Sequence, residues 1–156
     1  MNIYDACDYI VLKLTHGGVF LNVLKLHKLL YYCQAWNLAF GRGRLFSASF
    51  QAWVHGPVSR DIYDRYVGTK AMYSNVTAAD VRSNFDPQSL EQNDRALIDS
   101  VLEVYAPLSG DQLEEMTHKE DPWLNARAGV PPSARSEHII SDDVMRDYYA
   151  ARIKRV

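Results

Sequence analysis

Apolar residues recur at helical spacing from Lys25 to Phe40, where Leu26, Leu29, Leu30, Cys33, Trp36, Leu38 and Phe40 form one broad stripe. Lys25 and Lys28 fall on the remaining face, and Tyr31 and Tyr32 flank the stripe. The pattern predicts a central helix over about residues 22–41, with Asn22 as N-cap and Gly41-Arg42-Gly43 as its end. A helix of about 18 residues spans roughly 27 Å, the width of a small domain. Upstream, Ile3, Cys7, Ile10, Val11 and Leu14 predict a first helix that runs to about His16 and stops at Gly17-Gly18. So short a connection places the two helices as antiparallel neighbours.

The period changes at Leu45. Phe46, Ala48, Phe50, Ala52 and Val54 alternate with Ser47, Ser49, Gln51 and Trp53, which predicts a strand or hairpin with Tyr73–Val76 as candidate partner. His55-Gly56-Pro57-Val58 ends it, and Val58, Ile62, Tyr63 and Tyr66 predict a short helix closed by Gly68. Residues 69–89 read as mobile, partner-facing structure or simple connection. Leu97, Val101, Leu102, Val104 and Tyr105 define a helix from Asn93 that Pro107 ends. Ser109 and Gln112 form a capping box for the next, which runs to about Thr117 with Glu114 and Glu115 in solvent. Asp121 is the expected cap of another helix with Pro122 at its first position and Trp123 buried. After a loop at 129–137 and an extended His138-Ile139-Ile140, Ser141 caps a last helix. Asp142 and Asp143 open that helix, and Arg152, Lys154 and Arg155 close it, an order that suits the helix dipole. The fold class expected is mainly α: a compact multi-helix single domain over residues 1–156, built around the central helix, with one short β element at about 45–54.

Composition narrows the function classes. The 156 residues are 47% hydrophobic and 12% aromatic, enough for a real core. A net charge of −2 argues against a strongly basic nucleic-acid binder and leaves room for a local basic patch. Cys7 and Cys33 lie in helical contexts and read as reduced, buried thiols of a cytoplasmic protein. Met1–Asp5 lacks the features of a signal peptide, and no run of about 18 apolar residues occurs. No phosphate-binding glycine loop, H-E-x-x-H, EF-hand or zinc-finger spacing occurs, so neither metal nor cofactor is expected. His55, Ser59 and Asp61 lack the nucleophile-elbow context of a triad.

Three ordered motifs carry a resemblance. Lys25-Leu26-His27-Lys28-Leu29-Leu30-Tyr31-Tyr32-Cys33-Gln34-Ala35-Trp36 is similar to K-L-x-K-L-L-Y-Y-x-Q-x-W, with His27 where glutamine is more usual. Ala52-Trp53-Val54-His55-Gly56-Pro57-Val58, followed by Tyr63, is similar to A-W-x-x-G-P-V. Leu113 through Thr117-His118-Lys119-Glu120-Asp121-Pro122-Trp123 is similar to L-T-H-x-E-x-P-W. Together they resemble the Panacea domain of SocA-like antitoxins and GepA-type phage-associated proteins. The resemblance implies a bacterial or prophage protein that neutralises a cognate toxin by direct binding. In the SocA-like branch it also implies a proteolytic adaptor that presents the toxin to the ClpXP protease. Such an adaptor works by tethering and needs no chemistry of its own.

Trp53, His55, Tyr63, His118, Lys119 and Glu120 are the candidate partner-binding residues, because aromatic and charged groups at loop ends make interface anchors. A second copy of the chain is a further candidate partner. Two alternatives stand beside this reading. One is an enzyme whose pocket gathers His27, Tyr31, His55 and His118; the other is a DNA-binding autoregulator using Arg42, Arg44, Arg60, Arg65 and the basic tail.

Overall fold

The computed structural model describes residues 1–153. Seven α-helices are present among them: α1 (Ile3–His16), α2 (Val23–Ala39), α3 (Arg60–Tyr66), α4 (Gln92–Tyr105), α5 (Gly110–His118), α6 (Asp121–Ala126) and α7 (Asp142–Ala150). One antiparallel hairpin joins β1 (Phe50–Trp53) to β2 (Gly56–Ser59). The mainly α reading holds, and α2 is the axis: α1, α4, α5, α7 and β2 all pack on it.

Local chemistry sets the boundaries. Asn22 Oδ1 accepts the Lys25 N–H at 2.8 Å and starts α2. Ser109 and Gln112 close a reciprocal capping box on α5, and Ser141 caps α7 through the Val144 N–H. Asp121 is not a cap but the first residue of α6, with Pro122 next and Glu120 at the N-cap position, where it makes no capping bond. The carboxyl of Glu120 is used elsewhere, as described below. Lys154 and Arg155, expected at the end of the last helix, lie outside the described residues.

Two further expectations are corrected. The first concerns α2, which is not amphipathic: every residue except Trp36 is buried, Lys25 and Lys28 included. Elements pack on it from all sides, so a polar face would have no water to meet. Lys25 survives there by donating from Nζ to the Ala106 carbonyl at 2.6 Å. The second concerns the strand, which begins at Phe50 and pairs with the segment directly after it, not with Tyr73–Val76. A two-residue turn at Val54-His55 closes the ladder locally, and short closure is entropically cheap. Ala52 and Pro57 face each other in the register without exchanging hydrogen bonds, so proline's missing N–H costs the ladder nothing.

The segment 69–89 is a pinned connection. Leu24 N–H donates to the Met72 carbonyl at 2.8 Å, and Val76 N–H donates to the Leu21 carbonyl at 3.0 Å. Arg82 reaches the buried carboxylate of Asp8 on α1 at 2.6 Å, and Arg65 of α3 reaches it at 2.7 Å.

Gln34 braces the descent from α2 to the hairpin. Its side-chain oxygen accepts the Leu45 and Phe46 N–H groups at 2.8 and 3.0 Å, and its amide nitrogen donates to the Phe46 carbonyl at 3.2 Å. Replacing it by alanine strands two buried backbone donors, which cost about 1–3 kcal/mol each when unsatisfied. Gln34→Ala is therefore expected to lower unfolding free energy by about 2–4 kcal/mol in urea titrations, with the slope of the transition unchanged.

Candidate functional site

The three sequence motifs converge on the β1–β2 hairpin. The outer edge of β2 is satisfied by α2: Lys28 Nζ donates to the Pro57 carbonyl at 3.0 Å, and the Ser59 N–H donates to His27 Nδ1 at 3.4 Å. The outer edge of β1 is satisfied from the other side. Ala52 N–H donates to the His138 carbonyl at 2.8 Å, and Ile140 N–H donates to the Phe50 carbonyl at 2.8 Å. Trp123 Nε1 donates to the Trp53 carbonyl and Arg127 Nη1 to the Ala52 carbonyl, each at 2.8 Å. A short hairpin that would otherwise expose two sticky edges is thereby sealed.

Gly56 is the closest point of approach. Its φ of +93° is a conformation L side chains avoid. A Cβ there would also sit 2.7 Å from Lys28 Cε and 2.8 Å from Thr117 Oγ1. Thr117 is buried, its hydroxyl donating to the Glu114 carbonyl at 2.7 Å. The motif glycine, lysine and threonine thus form one contact between hairpin, α2 and α5.

Burial sets the protonation states here. Burial pushes Lys28 down to about 7, partly opposed by the charge of Glu114. His27 is pushed well below its usual range by burial and then by Lys28. His118 is lowered, first by burial; Glu114 and a backbone bond to Val54 oppose the shift, and Lys28 and Arg127 reinforce it. Its ring stacks on Trp123 at 4.2 Å, 28° from parallel.

The predicted contact residues separate into an outer and an inner group. Trp53 and Tyr63 meet edge to face at 4.9 Å on the surface, and Arg60 lies over both rings at 5.2 and 5.6 Å. His55 is exposed at the turn with Nδ1 2.9 Å from Glu114 Oε1, so Glu114 is not simply solvated. Lys119 is exposed and pairs with Glu115 one turn back on α5. His118 packs against Trp123, and Glu120 faces inward. Oε1 of Glu120 accepts the Tyr32 hydroxyl at 2.6 Å and the Tyr149 hydroxyl at 2.9 Å. Burial raises its pKa against those two bonds. Tyr149 in turn meets Tyr31 at 3.1 Å, and Tyr32 stacks on Tyr105 at 4.1 Å, so this network fastens α7 to α2 and α4.

Among the described residues no hydrogen bond joins any two of His27, Tyr31, His55 and His118, whose partners are Ser59, Tyr149 and Glu114 for the first three. No group of three or more His, Cys, Asp or Glu side chains among the described residues could hold a metal, and no helix there is long and apolar enough to cross a membrane. Among the described residues each arginine of the DNA-binding alternative has a carboxylate partner: Arg42 pairs with Asp94, Arg44 with Asp142, Arg60 with Glu137 and Arg65 with Asp8. Sequence reasoning missed Arg127, which no spacing marks, and read Lys28 as a surface group. The signal for Lys28 was its place between Leu26 and Leu29 in a helix with almost no polar face.

Lys28 makes stability depend on pH. The unfolded side chain titrates near 10.5 and the folded one near 7, so between those values the unfolded chain binds more protons and stability rises with pH. The slope approaches about 1.4 kcal/mol per pH unit for one proton. The buried thiols oppose it only as pH passes their ordinary value of 9.0, because their folded pKa values are raised. Urea unfolding from pH 7 to 8.5 is expected to show a steeper rise for the native chain than for Lys28→Met.

No curated protein and no solved structure matches significantly. A family model described as antitoxin SocA-like, Panacea domain, matches residues 26–124. The match begins in the α2 motif, ends one residue past Trp123, and so contains the hairpin and most of what holds it. It covers well over half of the chain, and the protein belongs to the SocA-like antitoxin, Panacea domain family.

Proposed function

We propose that this protein neutralises a cognate toxin by direct binding and, as a proteolytic adaptor, presents it to ClpXP. The family match supports an antitoxin-type role. One observation supports direct binding; the adaptor role rests on the SocA-like resemblance alone. In the hairpin, His27, Lys28, Thr117 and Trp123 are buried and committed to bracing, whereas Trp53, Tyr63 and Arg60 meet at the surface. Tryptophan, tyrosine and arginine dominate the energetics of protein interfaces, and here they sit on a rigid, edge-sealed support. Trp53, His55 and Tyr63 form the toxin-facing group, with Lys119 beyond it at the C-cap of α5. His118 and Glu120 act through the fold: one supports the hairpin through Trp123, the other holds α7.

Coexpression with the product of the adjacent open reading frame, in cells with and without ClpX, tests this. Growth rescue with toxin loss only when ClpX is present is expected. Rescue with toxin levels unchanged would replace the adaptor role by simple masking. No rescue and no complex from the folded chain would refute both.

A further inference from the structure

The partner's chemistry is written on the surface beside the hairpin. Arg60 Nη2 donates to Glu137 Oε1 at 2.8 Å, and Arg135 Nη2 approaches the same oxygen at 3.4 Å. Two guanidinium groups therefore share one carboxylate oxygen, which leaves one positive charge in excess. Each guanidinium has five N–H donors, so most remain free for an incoming acceptor. Arg135 is 85% exposed and Arg60 41% exposed. Asp61 and Asp64, exposed on the same helix, pair with neither arginine among the described residues. Arg60 is held over Trp53 and Tyr63, and Arg135 lines a shallow hollow of about 420 Å³ with Val130, Ser136, Glu137 and His138.

We infer that this surface binds an acidic segment of the toxin. Its Asp or Glu carboxylates engage Arg60 and Arg135, and a neighbouring apolar or aliphatic side chain packs on the Trp53 and Tyr63 rings. The inference rests on the antitoxin reading. Charge complementarity selects the partner: planar guanidinium forks match carboxylates bidentately. A nucleic acid would need a longer run of cations than two arginines separated by a glutamate. Arg60, held over the two rings and by Glu137, loses little freedom on binding.

The test measures affinity for the purified product of the adjacent reading frame by titration calorimetry at low and high salt. Wild type is compared with Arg135→Glu and with Arg60→Glu plus Arg135→Glu, melting temperature serving as the check on folding. Arg135→Glu is expected to keep the fold, because its side chain is almost wholly solvated. The double reversal is expected to weaken binding on the order of 10- to 100-fold and to flatten its salt dependence. A wild-type complex that both variants match within twofold overturns the inference and leaves the antitoxin reading standing. A wild-type chain that forms no complex overturns both. Duplex DNA binding by wild type, abolished by the double reversal, reassigns the surface to nucleic acid and overturns the inference.

Discussion

The fold depends on one close contact, the passage of the Gly56-Pro57 backbone across α2. Lys28 lies under Gly56 with its amine on the Pro57 carbonyl, and Thr117 closes the contact from α5. A fully buried lysine with a single carbonyl acceptor is costly, and burial offsets part of that cost by pushing the amine's pKa down to about 7, where much of it sheds its proton. The contact welds hairpin, central helix and α5 into one body. Trp123, Arg127 and residues 138–140 then seal the remaining edge.

That construction explains why motifs far apart in sequence resemble one family together. The α2 motif supplies Lys28 for the hairpin and Gln34 for the loop leading into it. The second motif is the hairpin itself, and the third supplies Thr117 and Trp123. Most motif side chains are therefore supports. A rigid support is what an interface of aromatic and arginine side chains needs, since anchors fixed before binding lose less entropy when a partner arrives. Glu120 performs a parallel task about one turn further along α2, where the Tyr32 and Tyr149 hydroxyls converge on its carboxyl and hold α7 in place.

The helices were largely legible in the sequence because their signals are local. Asn22, Ser109 with Gln112, and Ser141 cap where their side chains and spacing say they should. Period alone could not show that α2 is surrounded on every side, because Lys25 and Lys28 carry the look of a solvated face. The hairpin partner was misplaced because β-pairing is a tertiary choice, and Tyr73–Val76 has strand-like residues that bond to the start of α2 instead. Of the candidate site residues, Trp53, His55 and Tyr63 are grouped by the fold on and around one hairpin. Glu120 illustrates the limit: in sequence it is a charged residue at a loop, and only the packing of α7 shows that its carboxyl is turned inward. Arg60 and Arg135 are brought together by Glu137 from segments far apart in the chain, which no spacing could reveal.

The most direct test of the central contact is urea unfolding of Gly56→Ala alone and combined with Lys28→Ala. The added methyl group meets Lys28 Cε and Thr117 Oγ1 and must also occupy a positive-φ conformation. A loss of about 2–4 kcal/mol is predicted for Gly56→Ala. Strong non-additivity with Lys28→Ala is predicted too, because the smaller side chain removes part of the clash. A loss below about 0.5 kcal/mol, typical of an unconstrained surface position, would contradict the account.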